Sequence, residues 1–139
     1  KSGLPKGIIV NLHGTNLEVA CLDCGHTVPS EDVFDRLDLE QGVPLCPECD
    51  GFFKPNTISF GQQLRGEDLS RANDLAVSCD LMIVVGSTLV VQPASSIPSI
   101  AKEKGALLAI VTLSETPLDS YADFVFHLKV EDFINLFQS

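Results

Sequence analysis

The sequence predicts an α/β fold in which part of a Rossmann-like parallel sheet carries a small zinc-binding insertion with four cysteines. Two observations lead to this prediction. After Gly66, apolar stretches of strand length alternate with helical patterns, as in doubly wound sheets. Before Gly66, two Cys-x-x-Cys pairs stand in a segment rich in glycine and proline. A chain of 139 residues that is 45% hydrophobic is also long enough to bury a core.

The pattern of helices and strands is clearest after Gly66. Apolar runs of strand length predict three strands, at Leu81–Val85, Leu107–Val111 and 124–128. Helical spacing of apolar residues predicts three helices, within 69–79, 93–104 and 130–137. The first strand is apolar throughout and ends at Gly86, which is typical of a strand buried inside a parallel sheet. Pro98 either opens or kinks the second helix, and Gly105 is placed to stop it.

Four of the five cysteines stand in two pairs, Cys21-x-x-Cys24 and Cys46-x-x-Cys49. Each pair lets two thiolates of one tight turn reach the same tetrahedral ion, and four sulfurs leave no coordination position for water. The pattern therefore predicts a structural zinc site in a small module, residues 21–52, set into a larger domain formed by 1–20 and 53–139. Two redox-active or disulfide pairs are the alternative. The fifth cysteine, Cys79, is expected on the buried face of a helix.

Three weaker signals each have a functional and a structural interpretation. His13 follows the apolar residues 8–10, which are expected to form a strand, and its position before Gly14 suits a general base in a cleft. A structural histidine is the alternative. The segment 86–88 follows a predicted strand, where doubly wound sheets bind nucleotides, although a simple strand-to-helix turn has the same pattern. The segment 60–61 ends an extended stretch that could offer an edge to a peptide or serve as a linker.

The charge and the hydropathy exclude two classes of function. Nineteen acidic and nine basic residues give a net charge of −10, whereas binding to nucleic acid requires clustered Lys and Arg. A zinc ribbon that binds nucleic acid therefore fits the cysteines but not the charge. No apolar run approaches the roughly 20 residues of a membrane span, and the start of the sequence has no signal-peptide pattern. We expect a cytoplasmic protein with no nucleic-acid partner and no membrane association.

The motifs follow one another in a distinctive order. They are Leu12-His13-Gly14, the two cysteine pairs, Pro55-Asn56, Phe60-Gly61, the segment 85–93 that begins Val85-Gly86-Ser87-Thr88, and the segment 115–119. In this order they closely resemble the sirtuin family of NAD-dependent protein deacylases, over nearly the whole chain. The resemblance implies a partial NAD-binding domain of the Rossmann type with a structural zinc module.

The resemblance also implies an enzyme with defined site residues. Such an enzyme transfers the acyl group of an acyl-lysine protein or peptide to NAD and releases lysine, nicotinamide and O-acyl-ADP-ribose. His13 corresponds to the catalytic base, which takes a ribose hydroxyl proton so that the acyl group can migrate. The implied NAD-binding residues are Gly86, Ser87, Thr88, Thr112, Leu113, Ser114 and Val130. The implied substrate-binding residues are Ile58, Phe60, Gly61 and Val91. The implied zinc ligands are Cys21, Cys24, Cys46 and Cys49.

The sequence departs from the family pattern in two respects. A Gly-Ala-Gly loop and an Asn-Ile-Asp segment, which lie upstream of the catalytic histidine in the family, are not found in it. The chain is therefore expected to correspond to the C-terminal part of the catalytic domain, with the N-terminal half of the fold as a partner. Thr112 replaces the family's usual Asn, and Gln62 its usual Glu. The alternative function is an inactive zinc-stapled fragment that binds a nucleotide or a peptide.

Overall fold

The computed structural model describes residues 4–35 and 42–137. The chain divides into two units, Lys1–Leu64 and Arg65–Ser139. The first unit carries both cysteine pairs, and the second carries the alternating strands and helices. The predicted grouping of the first residues of the chain with its C-terminal part, around a separate zinc module, stays a prediction.

A three-stranded antiparallel sheet organises the first unit. Its described elements are a short 3-10 helix (Lys6–Ile8), strand β1 (Gly14–Cys21), strand β2 (Thr27–Pro29), helix α1 (Ser30–Phe34) and strand β3 (Phe53–Thr57). β1 lies in the centre and pairs with β2 on one side and β3 on the other. The β1–β3 pairing shifts register between Thr15 and Val19, as at a β-bulge, so the strand changes direction before it reaches Cys21.

Residues 8–10 do not form the strand that their apolar character predicts. Ile8 ends the 3-10 helix, where its N–H donates to the carbonyl of Pro5 at 3.1 Å. Ile8 and Ile9 are both exposed. β-branched residues favour a strand only where a neighbouring strand pairs with them, and the described part of the first unit provides none for this stretch.

The second unit contains the parallel sheet that the sequence predicts. Its described elements are helix α2 (Gly66–Ser78), strand β4 (Leu81–Val85), a 3-10 turn (Ala94–Ser96), helix α3 (Ile97–Glu103), strand β5 (Leu107–Val111), strand β6 (Phe124–Phe126) and helix α4 (Val130–Asn135). The strand order is β4-β5-β6, and both pairings are parallel. These elements confirm the α/β class, with strands and helices alternating along the chain.

β5 is the central strand and forms the middle of the core. Leu108 and Ile110 have no exposed surface, and they pack with Val84 and Leu89. Helix α3 packs on β4 and β5, with Ala101 fully buried. Helix α2 packs against α3. The run at 107–111 is almost entirely apolar because neighbouring elements cover both faces of this strand.

β4 differs from the fully buried strand that its sequence predicts. Leu81, Ile83 and Val85 are each about half exposed, at 51%, 48% and 50%, whereas Val84 is 8% exposed. Successive side chains of a strand point to opposite faces, so these three lie on one face and Val84 on the other. Val84 packs into the core cluster with Leu89, Leu108 and Ile110, whereas the face with Leu81, Ile83 and Val85 stays half-exposed on this edge strand in the described part of the second unit.

The helix boundaries decide what Pro98 does, confirm the predicted stop at Gly105 and correct the prediction for Cys79. Pro98 is within the first two residues of α3, so it opens this helix and does not kink it. Gly105 follows the C-cap Lys104 with φ of 101°, the left-handed conformation that stops a helix. Cys79 is not a buried core thiol: it follows α2 as its C-cap, half-buried, and its Sγ donates to the Ala76 carbonyl at 3.3 Å.

One ion pair joins α3 to the sheet. Lys102 Nζ lies 2.6 Å from both carboxylate oxygens of Asp123, and the Leu108 N–H donates to Asp123 Oδ2 at 2.8 Å. The hydrogen bond from Lys102, followed by that from the Leu108 backbone, lowers the pKa of the Asp123 carboxyl. The charged form of Asp123 therefore favours the folded state.

We predict that Asp123→Asn destabilises the chain at neutral pH and not in acid. The folded-state pKa of Asp123 is depressed, so its contribution is present above the unfolded pKa of about 3.9 and is lost as the pH falls through the folded pKa. Urea unfolding of wild type and variant from pH 7 to pH 2 measures the difference. Glu103→Gln is the matched control, since Glu103 is an exposed acid next to Lys102 on helix α3. An equal difference between wild type and Asp123→Asn at every pH would contradict the assignment.

Candidate functional site

The four paired cysteines come together in the first unit. Their sulfur atoms all lie within 4.8 Å of one another. Cys21 Sγ and Cys49 Sγ are 3.5 Å apart, and Cys24 Sγ and Cys46 Sγ are 3.7 Å apart. Tetrahedral zinc with Zn–S bonds of about 2.3 Å separates its sulfurs by about 3.8 Å, whereas a disulfide holds them at about 2.05 Å. The geometry fits a four-thiolate zinc ion and not the disulfide alternative.

Each cysteine pair lies in a backbone turn of its own, and the two turns have the same form. The carbonyl of Cys21 accepts from the Gly25 N–H at 3.1 Å, and that of Cys46 accepts from the Asp50 N–H at 2.8 Å. Gly25 and Asp50 both have positive φ, 74° and 60°. The first turn follows β1 and the second precedes β3, so the antiparallel β1–β3 pairing brings the two turns together. The four-cysteine cluster does not include His26.

Gly51 also belongs to this site, although the sequence analysis does not single it out. A Cβ at Gly51 would lie 2.3 Å from Asp23 Oδ2 and 2.8 Å from Cys21 Sγ. Both distances are shorter than real Cβ contacts allow, so only glycine lets the second turn approach the first this closely. Its position two residues after Cys49 is the signal that could have identified it.

The thiols differ in how readily they ionise. A backbone hydrogen bond from Cys24 lowers the pKa of Cys21 to about 7, against the effect of burial. Burial raises the pKa of Cys46. A backbone hydrogen bond from Gly51 acts to lower the pKa of Cys49, yet the neighbouring thiols of Cys24 and Cys21 raise it to about 12. A cation that binds all four as thiolates must therefore displace protons from this cluster.

His13 lies on the turn that leads into β1. Its carbonyl accepts from the Ile58 N–H at 2.9 Å, and its ring is exposed. Gly14 has φ of 75°, and a Cβ there would lie 2.1 Å from the carbonyl oxygen of Asn56. Only glycine fits this contact, so Gly14 and the Ile58 hydrogen bond together fix the backbone at His13. The structure thus brings two predicted site residues, His13 and Ile58, next to each other.

The other two predicted substrate residues of the first unit lie on the turn after β3. Phe60 is 99% exposed, and Gly61 has φ of 84°. The Gln62 N–H donates to the Ser59 carbonyl at 3.0 Å, and Gln62 Oε1 accepts from the Ser59 N–H at 2.8 Å. Gln62 therefore closes the turn that presents Phe60 to solvent.

The second unit has an open cleft at the carboxyl ends of β4 and β5. Its volume is about 270 Å³. It is lined by Gly86, Thr112, Leu113, Leu128, Lys129, Val130 and Glu131. Gly86 follows β4, Thr112 follows β5, and Val130 begins α4, so three elements converge on it. Ligands of open parallel sheets bind at such strand ends.

Four of the seven predicted NAD residues line this cleft, namely Gly86, Thr112, Leu113 and Val130. Ser87, Thr88 and Ser114 are their chain neighbours and are not among its lining residues. Ser87 Oγ accepts from the Leu89 N–H at 3.3 Å, which shapes the turn after β4. Val91 lies beyond that turn and is 48% exposed.

Sequence reasoning missed three residues of the cleft, Leu128, Lys129 and Glu131. Leu128 and Lys129 belong to the connection from β6 to α4, and Glu131 is in the first turn of α4. The third parallel strand must end at the same edge of the sheet as the other two, so the residues that follow it were a usable signal.

The comparisons with known proteins agree with one another. The Sir2 family model matches residues 1–93 of the chain. A NAD-dependent protein deacetylase of Bradyrhizobium diazoefficiens is 41% identical over 124 residues, which cover 89% of this chain and 48% of that protein. A NAD-dependent protein deacetylase of Thermotoga maritima is 38% identical over 125 residues, which cover 90% of this chain and 50% of that protein.

Solved structures give the same result. A Sir2 structure bound to an acetylated peptide superimposes with a TM-score of 0.82 at 38% identity, covering 91% of this chain and 53% of that chain. A Sir2 complex with p53 peptide and NAD+ has the same TM-score and identity and is covered to 52%. The chain spans about half the length of the relatives it matches. On the match of the family model, supported by these relatives and structures, the chain belongs to the Sir2 family, the sirtuins.

Proposed function

We propose that this chain forms the C-terminal part of the catalytic domain of a NAD-dependent protein-lysine deacetylase. The reaction converts an acyl-lysine, NAD and water to lysine, nicotinamide and O-acyl-ADP-ribose. The observation that carries the proposal is the sustained similarity, 41% over 89% of the chain, to a protein named a NAD-dependent deacetylase. The cleft at the ends of β4 and β5 supports it, since a parallel sheet binds nucleotides there.

NAD fits the cleft as one part of a larger site. When bound, NAD supplies the ribose that receives the acyl group. The cleft volume of about 270 Å³ is below the roughly 300–1,000 Å³ of most small-molecule sites, so it suits a portion of the dinucleotide. Gly86, Thr112, Leu113 and Val130 would contact that portion, with Ser87, Thr88 and Ser114 as the proposed residues beside it.

His13 is the proposed catalytic base. Imidazole is the side chain that takes up and returns a proton near neutral pH. A ring nitrogen of His13 would accept the proton of a ribose hydroxyl, so that the resulting oxygen can receive the acyl group. The exposed ring and the fixed backbone at Gly14 and Ile58 support this role, since a base must be accessible and held in place.

The substrate is proposed to be an acyl-lysine protein or peptide that binds as an added strand. Ile58 and Gly61 would offer backbone groups to the peptide, and Phe60 an apolar contact. The neutral acyl-lysine side chain requires an apolar wall, for which Val91 is proposed. The almost complete exposure of Phe60, at 99%, supports a contact with a partner molecule.

Zinc is proposed to act only in structure. Cys21, Cys24, Cys46 and Cys49 fill a tetrahedral shell, so no position remains for a reacting water. None of the five cysteines forms a disulfide, and a reducing compartment such as the cytoplasm would keep the thiolates available to zinc. Among the described helices, none has both the length and the hydropathy to cross a membrane.

The partner proposed for β4 is the N-terminal half of the catalytic domain. Leu81, Ile83 and Val85 present a half-exposed apolar face on an edge strand. An added strand or helix would cover this face and satisfy the open edge. A second candidate function is an inactive zinc-stapled module that binds a nucleotide or a peptide, for which the cysteine cluster and the cleft of the second unit would suffice.

We predict that Gly51→Ala weakens zinc binding about 10–100-fold, the usual effect of changing a contact next to a metal ligand. The new Cβ would displace Cys21 Sγ, from which it would lie 2.8 Å. Competition with a chromophoric chelator measures the affinity. Gly7→Ala, whose Cβ would meet nothing within 4 Å, is the matched control and should bind zinc as wild type does. Equal affinity in both variants would remove Gly51 from the site.

We predict that His13→Ala in the full-length protein lowers the rate of O-acetyl-ADP-ribose formation from NAD and an acetyl-lysine peptide about 10²–10⁴-fold, the usual contribution of a general base. Zinc content should not change, because His13 is not among the clustered ligands. His26→Ala, on the cysteine turn, is the control and should retain activity. Full activity of His13→Ala would refute its role as base. Absence of activity in the wild type would favour the inactive fragment.

A further inference from the structure

His127 lies between the two walls of the cleft in the second unit. One wall is the end of β5, with Thr112 and Leu113, and the other begins at Leu128, the residue after His127. The backbones of the two walls are already paired, since the Thr112 N–H donates to the Phe126 carbonyl at 3.1 Å. The side chain of His127 adds a second link between them.

Both ring nitrogens of His127 face acceptors. Nδ1 is 3.4 Å from the carbonyl oxygen of Thr112, and Nε2 is 3.1 Å from Asp119 Oδ2. A neutral imidazole donates from one nitrogen only, whereas the imidazolium donates from both. The protonated ring therefore satisfies both contacts, and loss of its proton removes one of them.

The Asp119 carboxylate is itself held in place. Thr116 Oγ1 donates to Asp119 Oδ1 at 2.5 Å, and the Asp119 N–H donates to the Thr116 carbonyl at 3.2 Å. The hydrogen bond from the Thr116 hydroxyl, and more weakly the nearby His127, lowers the pKa of Asp119. The second carboxylate oxygen is thus presented to His127 as an anion in a fixed direction. Among the described contacts, Asp119 is the charged group that faces the His127 ring. Lys129 lies two residues after His127 in the sequence.

We propose that His127 is a positioning residue that, through Asp119 and the Thr112 carbonyl, holds the two walls of the nucleotide cleft together. Nothing in this role requires His127 to touch the nucleotide. The inference deepens the proposed function and rests on it in one respect, namely that the ligand of the cleft is a nucleotide. Because the ring is 40% exposed, the effect is modest, and protonation of His127 tightens the cleft while deprotonation loosens it.

The first test is independent of any ligand. Amide NMR signals of Leu113 and Lys129, one on each wall, should shift together when the pH is raised from 5 to 8, the range in which a histidine side chain can change its charge. In His127→Gln these shifts should disappear. In Asp119→Asn, which keeps the imidazole but removes its anionic partner, they should be smaller, whereas Asp74→Asn, a change of an exposed acid on α2, should leave them unchanged. Amide signals that titrate identically in His127→Gln and wild type would overturn the proposal.

The second test measures ADP-ribose affinity of the full-length protein by calorimetry. His127→Ala should bind about fivefold more weakly at pH 6, an effect of the size expected for an exposed charged contact. Wild-type affinity should fall as the pH rises to 8, whereas His127→Arg, which keeps its charge and its donors, should show no such fall. A fall of the same size in His127→Arg would overturn the proposal. Failure of the wild type to bind ADP-ribose would contradict the proposed function, and the NMR titration would still decide whether His127 links the walls.

Discussion

The shared coordination of one cation by four thiolates is the constraint on which the first unit depends. Among its described residues, the buried apolar side chains are Val19, Cys21, Val33 and Cys46. Two of these four are members of the cysteine cluster, so the unit has almost no hydrophobic core apart from the metal site. Small units with so little buried apolar surface are usually stabilised by a metal or by disulfides. The thiols here are placed for a metal.

Because the first unit depends on its metal site, zinc can affect function without taking part in a chemical step. The cysteine turns fix the ends of β1 and β3. At their other ends the same two strands hold the backbone of His13, through Gly14 beside Asn56 and through the hydrogen bond from Ile58. Loss of the metal would release both strands, and with them the position of the proposed base. A metal with no open coordination site can in this way be required for activity.

The second unit is organised by a hydrophobic core and has its candidate site at the sheet edge. β5 is buried from Leu108 to Val111, and directly after it Thr112 and Leu113 enter the cleft. A rigid central strand therefore ends in the residues that would contact a ligand, which is the usual arrangement of parallel sheets. The open face of β4 lies on the same sheet, so the surface proposed to bind the rest of the domain is held by the same core.

Features encoded by local pattern could be predicted from the sequence, and features that depend on distant partners could not. The runs at β4 and β5, the stop at Gly105 and the metal cluster were predicted because each is a short, local signal. The prediction of a strand at 8–10 was wrong, because apolar residues form a strand only where a neighbouring strand pairs with them. The approach of Gly51 to Cys21 and the contacts of His127 with Asp119 and Thr112 depend on how separate segments meet in the fold, and the sequence pattern around these residues does not specify that meeting.

The small buried core of the first unit leads us to expect that it folds only around its zinc. The most direct measurement is a pair of ¹H–¹⁵N NMR spectra of the chain, with zinc bound and after removal of the metal by a chelator under reducing conditions. We expect amide signals of β1 and β3 to lose their dispersion on removal and regain it when zinc is restored, while those of β5 stay in place. A metal-free chain whose β1 and β3 signals keep their dispersion would contradict the claim.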